Sequence, residues 1–313
     1  MACRALLVGI NHYAGYIRYN GNIVPLLRHR LYGCINDVDS IAGLITANYH
    51  FAAKEIRELT DARATQAAIL GALTDLVSSA APGDHLLFYF SGHGSLYSPK
   101  PAADDPKRKE PVFEILCPYD MDWDQERFIS KENLQDIVNL LPDGAALEVV
   151  LDACCAGGMK DVGRGQLDAL MQLPMLGAAE DLALSGRSRF LVPPPDVMTR
   201  ILNARNDRQE GIAGPRIMST LGSDGPKRCI VWTSSNDHQS SEEYIPSHGR
   251  EHGAFTYFFN RVLEVDPKAQ RAAVLQSVRE GLRAERFSQV PGLFPHAPAI
   301  AGYSFLEPGT TSR

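Results

Sequence analysis

Two short stretches hold residue types able to perform nucleophilic chemistry. Ser91-Gly92-His93-Gly94 ends the apolar run Leu86-Leu87-Phe88-Tyr89-Phe90, and Asp152-Ala153-Cys154-Cys155-Ala156-Gly157-Gly158 ends Val149-Val150-Leu151. An unaided thiol with a pKa of ~8.5 is only a few per cent thiolate at neutral pH. An adjacent imidazole raises that fraction and can later protonate a leaving amine. His93 is therefore the candidate general base and Cys154 the candidate nucleophile. The backbone N–H groups of Gly94 and Cys154 are the candidate donors to an oxyanion. A lone cysteine at a strand end is more often a small buried hydrophobe, which is the role left to Cys155. No third residue that would orient the imidazole is evident in the sequence.

For these residues to meet, two strands far apart in sequence must lie side by side. Apolar runs of strand length alternate with segments of helical period through most of the chain, which predicts an α/β fold with a mostly parallel sheet. Strands are predicted over Arg4–Ile10, Lys54–Leu59, His85–Ser91, Glu148–Asp152, Cys229–Thr233 and Ala299–Tyr303. Helices are predicted over Asp37–Asn48, Thr65–Ser79, Ser130–Leu140, Phe255–Glu264 and Ala272–Arg286. In such sheets, sites form in the crevice beyond the carboxyl ends of the strands, where both motifs fall. Ser98–Pro111 reads as an exposed loop. From about Met159 to Arg228 the chain is rich in Gly, Pro and scattered Arg, without strand signals, and reads as a long insert.

Bulk properties narrow the function classes. Among 313 residues, 44% are hydrophobic and 22% charged, an ordinary globular composition with room for a sizeable core. Lys plus Arg number 31 against 37 for Asp plus Glu, and the net charge of −6 gives no footprint for nucleic acid. The opening Ala5–Ile10 run is too short to span a membrane and no cleavage signal follows it, so a cytoplasmic location without membrane partners is expected. The six cysteines show no C-x-x-C spacing, which argues against zinc and against a disulfide framework.

The histidine and cysteine motifs resemble those of metacaspases. Gly33-Cys34-Ile35-Asn36-Asp37, Phe113–Asp120, Trp232–Gln239 and His252–Tyr257 resemble further motifs of that family, in the same order. The resemblance implies a caspase-like three-layer αβα sandwich around a mostly parallel sheet, forming one catalytic domain over residues 1–313. Residues 1–158 would be its large-subunit-like part, 159–228 an insert open to processing, and 229–313 its small-subunit-like part. It implies a cysteine endopeptidase acting through a Cys–His dyad and a thioester, with protein or peptide substrates and no redox or organic cofactor. Regulated cell death or defence would be its setting, and an upstream protease or regulator a further partner.

The resemblance also assigns Cys34, Asp37, Ser91 and Asp152 to the primary pocket, whose two carboxylates favour Arg or Lys before the scissile bond. Each of these has a plainer role to set beside it: Asp37 as a helix cap, Asp152 as a strand-end carboxylate, Cys34 and Ser91 as small residues beside a cleft. Calcium-activated members carry aspartates where this chain has Ser130-Lys131, and Asp161 alone matches another ligand. One carboxylate beside a lysine suits calcium poorly, since calcium takes six to eight oxygens, so no metal site is assigned. The basic residues of the insert, Arg164, Arg187, Arg189 and Arg200 among them, read as solvated loop charge, with self-cleavage there as a further expectation. The alternative to a free-standing enzyme is a catalytically silent or latent caspase-like module that binds partners, which the Cys154-Cys155 pair favours.

Overall fold

The computed structural model describes residues 1–19, 22–101, 103–104, 110–154, 188–206, 221, 228–236, 239–247, 249–296 and 298–307. Its centre is a six-stranded sheet built from β1 (Cys3–Gly9), β4 (Ile56–Thr60), β5 (His85–Ser91), β9 (Ala146–Asp152), β10 (Arg228–Thr233) and β13 (Gly292–Phe294). Outside it, β2 (Tyr16–Tyr19) pairs with β3 (Asn22–Pro25), β11 (Glu243–Tyr244) pairs with β12 (His252–Gly253), and β6 (Gly94–Tyr97), β7 (Phe113–Leu116) and β8 (Ile129–Ser130) form a three-stranded sheet. The spatial order is β13-β10-β9-β5-β1-β4. Every neighbouring pair is parallel except β10 with β13. The chain runs from β1 outward to β4 and then returns to the other side of β1 as β5, so the topological switch lies between β1 and β5.

Side chains alternate across the strands with period two, and both sets are apolar, as a sheet covered on both faces requires. Leu6, Val8, Leu86, Phe88, Phe90, Val149 and Leu151 face one cluster. That layer contains helices α2 (Gln66–Ser78), α3 (Lys131–Val138) and α4 (Pro195–Asn206). Ala5, Leu7, Leu87, Tyr89, Val150 and Trp232 face the opposite cluster. There the packing partners are α1 (Cys34–Asn48), α5 (Ala254–Val265) and α6 (Arg271–Ala284). The result is the expected three-layer αβα sandwich, with each fully buried Leu or Phe stabilising it by about 1.5–3 kcal/mol. Strands and helices from both sides of the insert share this one sheet.

Three expectations need correction. The final strand is not Ala299–Tyr303: residues Pro298–Ala301 form a short helix, and the edge strand is Gly292–Phe294. Helix α1 starts at Cys34, so Asp37 lies within its first turn and is free to point elsewhere than a cap. Residues 188–206 of the insert are ordered, with Leu191, Val197, Met198 and Ile201 buried in the core. Pro195, within this Gly- and Pro-rich stretch, is the first residue of α4, where a missing N–H costs nothing. Residues 155–187, with Cys155, Asp161, Arg164 and Arg187, and residues 207–220 and 222–227 lie outside the described residues. Ser130 caps α3 through a reciprocal capping box with Asn133.

One buried ion pair locks the carboxyl-terminal segment. Arg271 reaches Glu148 through Nε (3.0 Å) and Nη2 (2.8 Å), while Trp232 donates to the same carboxylate (2.6 Å) and Leu306 adds its N–H (3.1 Å). Removing one partner strands a charge in the core. Arg271→Met is expected to lower unfolding free energy by about 3–5 kcal/mol in urea melts, and Arg271→Met with Glu148→Leu to recover part of that loss.

Candidate active site

Strand pairing settles whether the two chemical motifs can meet. β5 and β9 are parallel neighbours, with Ser91 directly opposite Asp152, so His93 and Cys154 emerge together beyond the same sheet edge. Ser91 shares the parity of Tyr89, and Asp152 that of Val150, so both side chains face the layer that contains α1. The amino end of α1 comes close because Gly9, paired with Ser91, has no side chain: a Cβ there would lie 2.6 Å from the Cys34 carbonyl oxygen.

Asp37 thereby enters the pocket. Its Oδ2 accepts from Ser91 Oγ (2.8 Å) and its Oδ1 lies 3.0 Å from His252 Nδ1, with the Gly253 N–H at 3.0 Å from both oxygens. Asp152 Oδ2 accepts from Thr256 Oγ1 (2.6 Å) and N–H (3.1 Å), and its Oδ1 from Ser241 Oγ (2.9 Å). Burial pushes the Asp152 carboxyl up from its ordinary pKa, against the opposing pull of Arg189. Cys34 is buried beside them as a neutral thiol, raised by the same desolvation. The four expected pocket residues are therefore together.

The pocket is filled by a residue read from the sequence as solvated. Arg189 has no exposed side-chain surface. Its Nη1 donates to Ser91 Oγ and to the Asp152 carbonyl (both 2.8 Å) and lies 3.2 Å from Asp152 Oδ1; its Nη2 donates to Asp37 Oδ2 (2.9 Å). A third carboxylate, Glu243, lies 3.9 Å from Nη2 and is held by the N–H groups of Tyr32 and Gly33. Burial raises the Glu243 carboxyl, with Arg189 acting in the opposite direction. A Cβ at Gly253 would collide with both the Asp152 carboxylate and the Arg189 guanidinium, so that glycine leaves room for the occupant. Motif reading missed Glu243, Ser241, Thr256 and Arg189. The Ser-Ser-Glu-Glu run after Gln239 was the available signal for the first two.

The backbone around Arg189 runs through the groove as an added strand. Ser188 bridges Glu242 antiparallel and Phe190 bridges Gly94 in parallel. The Arg189 N–H donates to the Ser241 carbonyl (2.8 Å), and its carbonyl accepts from the Gly94 N–H (3.0 Å). Gly94, expected as an oxyanion donor, thus already holds a peptide carbonyl.

His93 is fixed from three sides. Its N–H donates to the Tyr13 hydroxyl (2.7 Å), the Tyr13 ring packs at 5.1 Å between centroids, and Nε2 lies 2.7 Å from the His29 carbonyl. A carbonyl only accepts, so Nε2 carries the proton and the neutral ring presents a bare Nδ1. That nitrogen is buried and unpartnered among the described residues. The orienting group that the sequence could not supply is this backbone carbonyl. Cys154 is buried, and its Sγ donates to the Gln239 carbonyl at 3.4 Å.

Burial outweighs the carbonyls of His29 and Arg189 and pushes the imidazole down from 6.5 to about 4. The unfolded chain therefore binds a proton that the folded chain refuses, and this contribution to stability is full above about 6.5 and lost as pH falls toward 4. In Cys154→Ala protein, the melting temperature is expected to fall across that window, and His93→Asn to flatten the slope. An identical slope in both proteins would contradict the assignment.

Three comparisons bear on this geometry. Residues 3–163 match the family described as Metacaspase, peptidase C14 domain. The chain is 26% identical to Metacaspase-1 of Eremothecium gossypii over 97% of its own length and 66% of that protein, and 28% identical to Metacaspase-1 of Candida albicans over 97% and 67%. Against Metacaspase-1 of Coccidioides immitis the identity is 27%, over 93% of this chain and 60% of that one. The chain thus spans about two thirds of the length of these relatives, or less. A crystal structure of a protein from Geobacter sulfurreducens superimposes with a TM-score of 0.59 at 17% identity, covering 97% of this chain and 98% of the other, a likeness of fold.

Proposed function

The chain belongs to the metacaspase, peptidase C14 domain family of cysteine peptidases, and on that footing we propose that it hydrolyses peptide bonds after basic residues, arginine before lysine, through His93 and Cys154. The observation that carries the reading is Arg189: the pocket accommodates an arginine side chain while the Gly94 N–H holds the same residue's carbonyl.

Chemistry follows from the positions of the groups. His93 Nδ1 takes the proton of the Cys154 thiol, and the thiolate attacks the carbonyl carbon held at Gly94. The Gly94 N–H stabilises the developing oxyanion. The imidazolium returns its proton to the leaving amine, and water hydrolyses the resulting thioester to regenerate the thiol. The His29 carbonyl keeps the ring in the tautomer this sequence needs. None of these steps calls for a redox or organic cofactor.

Selectivity follows from charge and shape. Three carboxylates repel an aspartate side chain. The two terminal nitrogens of a guanidinium reach separate acceptor sets, Ser91 with Asp152 and Asp37 with Glu243, whereas a lysine ammonium brings one nitrogen to that fork. A silent partner-binding module would have no use for an unpartnered imidazole nitrogen beside a held carbonyl, which favours the catalytic reading.

Short fluorogenic peptides ending in Arg, Lys or Asp test it. Turnover is expected to follow Arg over Lys with none after Asp, to vanish in Cys154→Ala and to persist in Cys155→Ala. Asp37→Asn, which removes a charge-assisted bond worth about 1.5–3 kcal/mol, is expected to lower kcat/KM for the Arg peptide by roughly ten- to a hundredfold. Cleavage after Asp, or Arg-directed cleavage that survives Cys154→Ala, overturns the assignment.

A further inference from the structure

We propose that Gln289 is a positioning residue for the reaction: its carboxamide clamps the segment after β10, which carries acceptors for both the Cys154 thiol and the N–H of the residue before the scissile bond. The proposal rests on the arginine-directed peptidase reading above and adds a residue that sets its geometry.

Three observations carry it. First, the segment after β10 lines the site. The Gln239 carbonyl accepts from Cys154 Sγ (3.4 Å), the Ser241 carbonyl accepts from the Arg189 N–H (2.8 Å), and Ser241 Oγ donates to Asp152 (2.9 Å). Second, side-chain amides tie that segment to the stretch between α6 and β13. Gln289 is 3% exposed; its Nε2 donates to the Ser234 carbonyl (3.0 Å) and its Oε1 accepts the Glu242 N–H (3.1 Å), so one amide spans both ends of the segment. Gln239 answers from the other side: its Oε1 accepts the Val290 N–H (2.7 Å) and its Nε2 donates to the Ser288 carbonyl. Third, the stretch that bears Gln289 is itself fixed. Arg286, with φ of 66°, turns the chain out of α6 so that the Phe287 N–H returns to the Leu282 carbonyl (2.9 Å). Arg279 holds the Pro291 carbonyl through Nε (3.0 Å) and Nη2 (2.6 Å).

An amide suits this place because the two backbone groups it meets are a carbonyl, which needs a donor, and an N–H, which needs an acceptor. A carboxylate offers acceptors only and would set a negative oxygen against the Ser234 carbonyl. A protonated carboxyl restores one donor and one acceptor in nearly the same shape, and burial favours that neutral form. A Gln289→Glu chain therefore carries a clamp that closes as pH falls, while the reacting groups stay wild type.

The test measures kcat and KM for an Arg-ending fluorogenic peptide, from mildly alkaline to mildly acid buffer, on full-length wild type, Gln289→Glu, Gln289→Met and Arg271→Met. Melting curves check that each protein is folded. In alkaline buffer Gln289→Glu is expected to lose about ten- to a hundredfold in kcat/KM, the scale on which a small displacement of a reacting geometry is felt. Its ratio to wild type at the same pH should climb on acidification, a comparison that cancels the titration of His93 common to both. Gln289→Met, with neither donor nor acceptor of that kind, should lose as much at every pH. Arg271→Met, which loosens the fold at Glu148 instead, should melt earlier yet keep wild-type kcat and KM below its melting range. If Gln289→Glu does not fold, Gln239→Met decides, since it removes the other amide and keeps the carbonyl that meets Cys154: it should lose about tenfold. Wild-type kinetics in the folded Gln289 variants or in Gln239→Met, a Gln289→Glu ratio that stays flat with pH, or an equal kinetic loss in Arg271→Met overturns the clamp and leaves the peptidase reading intact. No turnover of the Arg peptide by wild type at any pH overturns the peptidase reading and this proposal with it.

Discussion

Three carboxylates in one dry cleft are the constraint on which the rest of the structure depends. Asp37 arrives on the first turn of α1, Asp152 at the end of β9 and Glu243 on the short strand after the insert. Buried charges of one sign persist only when a cation and hydrogen-bond donors compensate them. The donors come from Gly253 for Asp37, Thr256 and Ser241 for Asp152, and Tyr32 and Gly33 for Glu243. Arg189 supplies the cation. One interaction therefore joins the amino-terminal helix, the central sheet, the insert and the segment beyond it.

The same electrostatics governs the occupant of the cleft and the imidazole beside it. A pocket negative enough to extract an arginine from water will take an arginine of its own chain if one can reach it. The insert brings one within reach, with its carbonyl on the Gly94 N–H. The imidazole beneath is weakly basic because water has been excluded from the filled cleft. The burial of Arg189 and the low basicity of His93 are thus two consequences of one occupied cleft.

Some of this was legible in the residues. Apolar runs of strand length announced five of the six sheet strands, and the endings after Phe90 and Leu151 located the chemistry, because the crevice beyond the carboxyl ends of parallel strands is where sites form in open sheets. The Gly- and Pro-rich composition of the insert concealed a helix, since Pro195 stands at a helix start. The edge strand Gly292–Phe294 is three residues long, too short to leave a periodic signature.

By itself the sequence determined the layered fold and the candidate pair His93 and Cys154, because local pattern and motif chemistry are written in side chains, while Cys34, Asp37, Ser91 and Asp152 were pointed to by family resemblance. Tertiary structure alone decided that β5 lies beside β9, that the His29 carbonyl orients the imidazole, that Glu243 joins the pocket and that Arg189 fills it. A backbone carbonyl has no signature in the residue it belongs to. An arginine among glycines and prolines looks solvated until distant segments converge to bury it, and only the folded chain sets which distant segments converge.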